Sequence, residues 1–308
     1  MLLVDKQGVY GRQMQLLVQS LPVIFREQCF ALKGGTAINL FIRDLPRLSV
    51  DIDLVYLPRA DRNSALAAIR QALSRIAEDL IRVIPSLVVH KSFEDKPDAL
   101  RLVIGQGDVH IKIELSPVLR ECVFEPERHE ICARVEEEFG YVEAPLVSFA
   151  DLYGGKICAA LDRQHPRDLF DVKILMEHEG ITETVRKAVL VYMISHPRPI
   201  AELVAPHLLD IAPIYENEFT GMTADHISLE ALLDARERLI KQLTDEITDD
   251  EKQFLISFKL GDPDWVRLGL PGIDQLPAVR WKLLNLDKLN KVRRQAAVDK
   301  LRQALGMS

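Results

Sequence analysis

The amino-acid sequence predicts an α+β protein: a mixed β-sheet flanked by helices, followed by a mainly helical second half. Three observations carry this. Short β-branched runs with period-two alternation crowd the first half, long amphipathic periodicities flank them, and beyond Pro145 the pattern turns to helix after helix. The domain boundary is therefore expected near that proline, dividing residues 1–145 from residues 146–308.

Residues 11–28 set Met14, Leu17, Val18, Leu21, Ile24 and Phe25 at helical spacing, so an opening amphipathic helix is expected. Residues 29–32 read as a short strand entering Gly34-Gly35, and residues 37–42 as a short helix closed by Asp44 and Pro46. The run from Val50 to Leu57 alternates as a strand. A strong helix follows over residues 60–84, with Leu66, Ile69, Leu73, Ile76 and Leu80 along one face. Three β-type runs at 86–93, 99–105 and 108–115 form a meander, the last two joined by a turn at Gly105-Gln106-Gly107. The stretch from Cys122 to Tyr141 is expected to continue the sheet edge. Helices are then predicted over 148–163, 167–179, 181–195, 228–246, 249–258 and, with a break, 276–305.

Bulk properties narrow the function. No apolar run approaches the ~18 residues of a membrane span, and the opening MLLVDKQGVYGRQ lacks the apolar core of a signal peptide, so no membrane role and a cytoplasmic location are expected. Cys29, Cys122, Cys132 and Cys158 have no zinc-ligand spacing and read as reduced thiols in or near the core. A net charge of −7 argues against broad nonspecific nucleic-acid binding. A local basic run remains at Lys288, Lys291, Arg293, Arg294, Lys300 and Arg302, which reads either as a solvated helix face or as an RNA contact.

The chemistry concentrates in Lys33 to Asp53, KGGTAINLFIRDLPRLSVDID. Residues two apart on a strand face the same side, so Asp51 and Asp53 project together. Paired carboxylates repel unless a cation neutralises them, and hard oxygen ligands suit Mg²⁺ or Mn²⁺. Upstream, Gly34 and Gly35 allow close backbone approach to a phosphate, and the Thr36 hydroxyl can cap the helix or touch that phosphate. Together these halves describe a triphosphate–metal site. On the later strand, Glu114 shares a face with His110, Lys112 and Ser116. If that strand lies beside the aspartate strand, Glu114 joins the cluster as a third metal ligand or a proton acceptor; otherwise it closes a salt bridge with Lys112. Of the histidines, only His110 and His165 fall near these segments.

A second constellation sits in DLYGGKICAALDRQHPRDLFDV. Ser148 and Asp151 make a variant capping box for a helix carrying Lys156 and Arg163 seven apart on one stripe. His165-Pro166 breaks it, Pro166 suits the first turn of the next helix, and Asp168 and Asp171 share its face. Positive and negative groups thus meet at a helix–helix corner, either for nucleotide binding or as a structural ion-pair corner.

The string Gly-Gly-Thr, helix, Arg47-x-Ser49-x-Asp51-Ile52-Asp53, then a strand with an acid, resembles the nucleotidyltransferase superfamily typified by DNA polymerase beta. Within it, this form and the Lys, Arg, Arg-Asp-x-x-Asp pattern of residues 156–171 resemble the AbiEii/AbiGii toxin family. Thr36 stands where the superfamily usually has serine, and the gap to the first aspartate is longer. The resemblance covers residues 30–180. It implies a nucleotidyltransferase fold whose helical half completes the nucleotide site, and transfer of NMP from an NTP (GTP or a pyrimidine NTP) to RNA such as tRNA. It also implies a cognate antitoxin. The catalytic set it implies is Asp51, Asp53, Glu114, Lys156 and Asp168. The nucleotide set is Lys33, Gly34, Gly35, Thr36, Arg47, Ser49, Lys156, Arg163, Arg167 and Asp171, with metal on Asp51, Asp53 and Glu114. Two other readings use the same residues: a nucleotide-binding module without turnover, and a nucleotidyltransferase acting on a small molecule.

Overall fold

The structure is a computed structural model describing residue 5 and residues 7–307. Residues 1–4 and 6, which belong to the opening stretch read above for a signal peptide, and residue 308 lie outside the described residues. The chain divides into two compact units, 1–148 with 221–225, and 149–220 with 226–308.

The first unit is built on a seven-stranded mixed sheet. In chain order it comprises α1 (Val9–Ile24), β1 (Phe30–Lys33), the short α2 (Gly34–Ala37) continued by a π-helical turn (Ile38–Ile42), and β2 (Ile52–Tyr56). Next come α3 (Arg62–Val83), β3 (Val88–Lys91), α4 (Ser92–Asp95), β4 (Arg101–Gln106), β5 (Val109–Leu115), β6 (Glu127–Glu130), α5 (Ala133–Phe139) and β7 (Glu143–Leu146). Strand order is β3-β4-β5-β2-β1-β7-β6. The predicted meander is β3-β4-β5, antiparallel throughout, and β5 then lies parallel to β2. Ile52, Leu54, Ile113 and Leu32 are fully buried, as the alternation requires of a sheet covered by helices. Val50, where the alternating run was expected to begin, precedes β2 and is only half-buried.

Several local expectations shift. The turn falls at Gly107-Asp108 rather than Gly105, because Gly105 pairs with His110 in the ladder. A Cβ at Gly105 would meet the His110 ring at 2.6 Å, so here glycine makes room for a cross-strand neighbour. The run 86–93 gives up its last residues to α4. Residues 122–141 supply the edge strand β6, but also a helix, α5. β7 had no expected counterpart: Pro145 was read as a boundary, yet it sits in a strand facing Arg128 of β6, and β7 is parallel to β1 only at Leu32↔Leu146.

The second unit is helical: α6 (Phe149–Arg163), α7 (Pro166–His178), α8 (Glu183–Ser195), α9 (Ile200–Val204), α10 (Ala212–Glu218), α11 (Leu229–Glu246), α12 (Asp249–Leu260), α13 (Trp265–Leu268), α14 (Pro277–Asp287) and α15 (Lys291–Ala304). The expected long C-terminal helix breaks where Asn290 caps α15 by accepting the Arg293 N–H at 2.9 Å. α9, α10 and α13 are short helices the sequence pattern did not announce. α6 packs on α8 through Gly154, where a Cβ would sit 3.0 Å from that of Ala188. Among the described residues no helix is long and apolar enough to cross a membrane. The four cysteines are free; Cys158 is buried and the others half-buried, and burial pushes the Cys29 and Cys132 thiols up to about 11.

Candidate active site

The sheet register assembles the first motif. Asp53 on β2 lies opposite Lys33 at the end of β1 and opposite Glu114 on β5. Glu114 in turn lies opposite Arg101 on β4. Registered neighbours project to the same face, so one row reads Arg101, Glu114, Asp53, Lys33: two carboxylates side by side, flanked by cations. Asp51, two residues before Asp53, is exposed, and Asp53 and Glu114 are half-buried. The conditional expectation about Glu114 is met in its placement. Its ion-pair partner is Arg101 rather than Lys112.

The glycine turn closes on these acids. Gly34 has φ +75°, and a Cβ there would stand 2.5 Å from Asp53 Oδ2. Only a residue without a side chain brings the β1–α2 turn this near the carboxylate. A Cβ on Gly35 would meet both Arg47 Nη2 and Ser49 Oγ at 2.8 Å. Thr36 is 1% exposed; its hydroxyl donates to the Asp51 carbonyl and lies 3.1 Å from Ser49 Oγ. Its hydrogen bond therefore ties the glycine turn to the strand that bears the aspartates. Arg47, 2% exposed, donates to the Leu48 carbonyl at 2.8 Å. The β-bridge Arg47↔Thr223 and the Leu48 N–H to Met222 carbonyl bond of 2.9 Å anchor this loop. Residues 221–225 are thus a brace for the aspartate loop, drawn from far along the chain.

A divalent cation is the cofactor such a family implies, and the donor set fits one. Asp53 offers hard oxygens beside a cradle that a Cβ would fill, and Asp51, one residue before β2, adds a second exposed carboxylate. Among the described residues no three His, Cys, Asp or Glu side chains are grouped as ligands. The fit is therefore to an ion that takes two carboxylates and completes its shell with water and phosphate oxygens, as Mg²⁺ does.

The second motif is a buried charge cluster. Lys156 Nζ lies 2.9 Å from Asp168 Oδ1 and 3.0 Å from Asp171 Oδ2. Arg163 Nε reaches Asp168 Oδ2 at 2.5 Å. Both aspartates are 1% exposed and Lys156 is 8% exposed. Burial alone would raise the Asp168 pKa; the charges and hydrogen bonds of Lys156 and Arg163 outweigh it and hold this carboxyl well below the usual range. His165 caps α7, its Nδ1 accepting the Arg167 N–H at 3.1 Å, while Nε2 lies 3.1 Å from Glu218 Oε2. Burial lowers its pKa. Arg167 lies 3.7 Å from Glu218.

Some residues escaped the sequence reading. Arg101 carries no local signal and is found only through strand register. Asp151, expected only in a capping box with Ser148, is 1% exposed and also accepts from the Tyr192 hydroxyl at 3.1 Å; an acid on the apolar face of α6 is the visible hint of that contact. Gln164, with φ +50°, spends its amide on the corner: Oε1 accepts from Leu209 N–H at 3.0 Å and Arg236 at 2.9 Å, and Nε2 donates to the His207 carbonyl at 2.7 Å. Arg236 is 72 residues away in sequence and nothing near it marks its role.

No curated protein sequence matches the chain. Among solved structures, MenT4, a nucleotidyltransferase toxin from Mycobacterium tuberculosis H37Rv, is similar with a TM-score of 0.59 at 14% identity. The likeness covers 95% of this chain and 92% of that one, and bears on the fold. The model of the nucleotidyl transferase AbiEii toxin family, of type IV toxin–antitoxin systems, matches residues 15–285. With most of its length matched in this way, the chain belongs to the AbiEii family of nucleotidyl transferase toxins.

Proposed function

We propose that the protein transfers NMP from an NTP to a hydroxyl of RNA, with tRNA as the kind of acceptor, using Mg²⁺ or Mn²⁺. The observation that carries this reading is the register row placing Glu114 beside Asp53, with Gly34 pressed against the Asp53 carboxylate. Asp51 and Asp53 would hold the ion, which when bound neutralises charge on the reacting phosphate and orients it. Gly34, Gly35 and Ser49 give the triphosphate a close approach to backbone and hydroxyl; Thr36 and Arg47 fix that turn. Lys33, at the end of the row, offers a cation to a phosphate. Glu114 accepts the proton of the attacking hydroxyl, and the Arg101 pair orients its carboxylate for that purpose.

The Lys156 cluster is the second working part in this reading. Lys156 is a phosphate ligand held by Asp168 and Asp171, with Arg163 and Arg167 as further nucleotide contacts. We assign metal and triphosphate to residues 1–145, and completion of the nucleotide site with acceptor or partner binding to residues 146–308. A cognate antitoxin is the protein partner implied by the family, and the cytoplasm the setting. The test is incubation with each labelled NTP and total RNA. Wild type is expected to label RNA with one nucleotide and release pyrophosphate, and Asp51→Asn/Asp53→Asn to do neither. Labelling that persists in that variant defeats the mechanism; labelling of a small molecule in place of RNA defeats the acceptor assignment.

A further inference from the structure

The two C-terminal helices carry a charge opposite to that of the molecule. Residues 277–304 hold eight Lys and Arg against two Asp, in a chain of net charge −7. Three of the cations are engaged within the protein. Lys282 donates to the His196 carbonyl, Arg294 to the Leu260 and Leu286 carbonyls at 2.9 and 2.7 Å, and Lys300 pairs with Glu202 at 2.8 Å. Arg280, Lys288, Lys291 and Arg293 are exposed, and among the described residues none has a carboxylate partner. Lys291, Arg293 and Arg294 also crowd the first turn of α15, which has no acid. Cations there oppose the helix dipole and one another. Arg294 offsets this through its carbonyl bonds, whereas Lys291 and Arg293 have no such compensation within the described residues and suit an anionic ligand.

Exposed aromatic surface lies in the same place. Trp281 is 48% exposed and Leu284 57% exposed; with Lys288 they follow the i, i+3, i+7 spacing of one helix face. Lys288 Nζ stands 5.8 Å from the Trp281 ring centroid. The other tryptophan behaves differently: Trp265 packs against Phe254 and Phe258 with centroids 5.5 and 6.2 Å apart. A half-exposed indole with a lysine over its ring, on a helix face without carboxylate partners for its cations, matches the way single-stranded nucleic acid is bound, by base stacking and phosphate neutralisation. The family match ends at residue 285, so Lys288, Lys291 and Arg293 lie beyond it.

We infer that the exposed face of α14 and the start of α15, centred on Trp281, Lys288, Lys291 and Arg293, is a docking surface for single-stranded or looped RNA. The inference rests on the RNA-acceptor reading above and adds where the acceptor is gripped, apart from the reacting groups. Trp281 supplies the stacking platform and the cations contact phosphates.

Fluorescence anisotropy with a fluorescein-labelled single-stranded RNA of about 12 nucleotides, over a series of KCl concentrations, tests it. Wild type is expected to bind with a salt-dependent Kd. Trp281→Ala should weaken binding about tenfold with its salt slope unchanged, since stacking releases no counterions. Lys291→Glu/Arg293→Glu should weaken it at least about tenfold and flatten the log–log salt slope by roughly 1 to 2, as lost phosphate contacts do. Wild-type affinity in both variants, an unchanged salt slope in the double variant, or wild-type binding to anionic vesicles but not to the RNA would overturn it. Failure of the transfer reading shows separately, in the Asp51→Asn/Asp53→Asn labelling assay, which does not depend on this face.

Discussion

Two charged motifs of this protein balance their charges in different ways. In the first unit Asp53 and Glu114 stand side by side on two interior strands with Asp51 just before β2, and among the described residues only Glu114 of the three has an ion-pair partner, Arg101. In the second unit Lys156 and Arg163 answer Asp168 and Asp171 charge for charge, with Lys156 and both aspartates buried and Arg163 reaching in from the surface. The helical corner is self-neutralised, as buried charges must be. The sheet motif keeps an uncompensated negative excess at a partly exposed position, which an outside cation can neutralise. The lesson is that a charge pattern left unbalanced by the fold points to a ligand, and a balanced one to a scaffold or a positioned group.

Substitutions can break that contrast. The largest expected effect is on chemistry: Asp51→Asn/Asp53→Asn should lower nucleotide transfer roughly a thousandfold, from loss of several kcal/mol of metal-borne stabilisation. Its urea midpoint should hold or rise, because two repelling carboxylates are removed. Lys156→Met should do the reverse to the fold. It removes the cation buried between Asp168 and Asp171, leaving two interior carboxylates with too little positive charge, and equilibrium unfolding should register a loss of about 3–5 kcal/mol. A Lys156→Met protein as stable as wild type would mean that the cluster is not the closed unit described here.

Gly34→Ala falls between the two. A side chain at φ +75° must also displace the Asp53 carboxylate, so a stability loss of about 2 kcal/mol is expected, together with weaker Mn²⁺ binding. The smallest effect is the acid dependence of the corner. Asp168 has its folded pKa depressed below the unfolded value, so its stabilisation is present above the unfolded value of about 4 and is lost as pH falls below it toward the depressed one. Between about pH 4 and pH 2, wild type should therefore lose more stability than Asp168→Asn, measured from denaturant curves at each pH. Parallel losses in the two proteins would assign the acid sensitivity elsewhere.

Much of this was legible because the signals are local. Alternation in Val109–Leu115 gives the face of Glu114 directly, and a glycine pair before a helix marks a turn by backbone freedom alone. His165-Pro166 announces the corner through the helix break and the N1 preference of proline. Pairings between distant segments were not legible. Arg101 meets Glu114 only because β4 and β5 share a register set by a turn at Gly107-Asp108, and the expected turn, Gly105-Gln106-Gly107, begins two residues too early to give that register. Residues 221–225 join the first unit from within a helical stretch, and Thr223 is bridged to Arg47 by backbone hydrogen bonding that no side-chain pattern encodes. β7 was hidden by Pro145, which lacks an N–H but survives where pairing with β1 is confined to the next residue.

The account depends most on a cation being held by the paired aspartates. Mn²⁺ titration followed by electron paramagnetic resonance, without nucleotide, tests this directly. One site is expected in wild type and in Asp168→Asn, and none in Asp51→Asn/Asp53→Asn. Retention of the Mn²⁺ site in the double variant, or its disappearance in Asp168→Asn with the fold intact, would contradict the assignment.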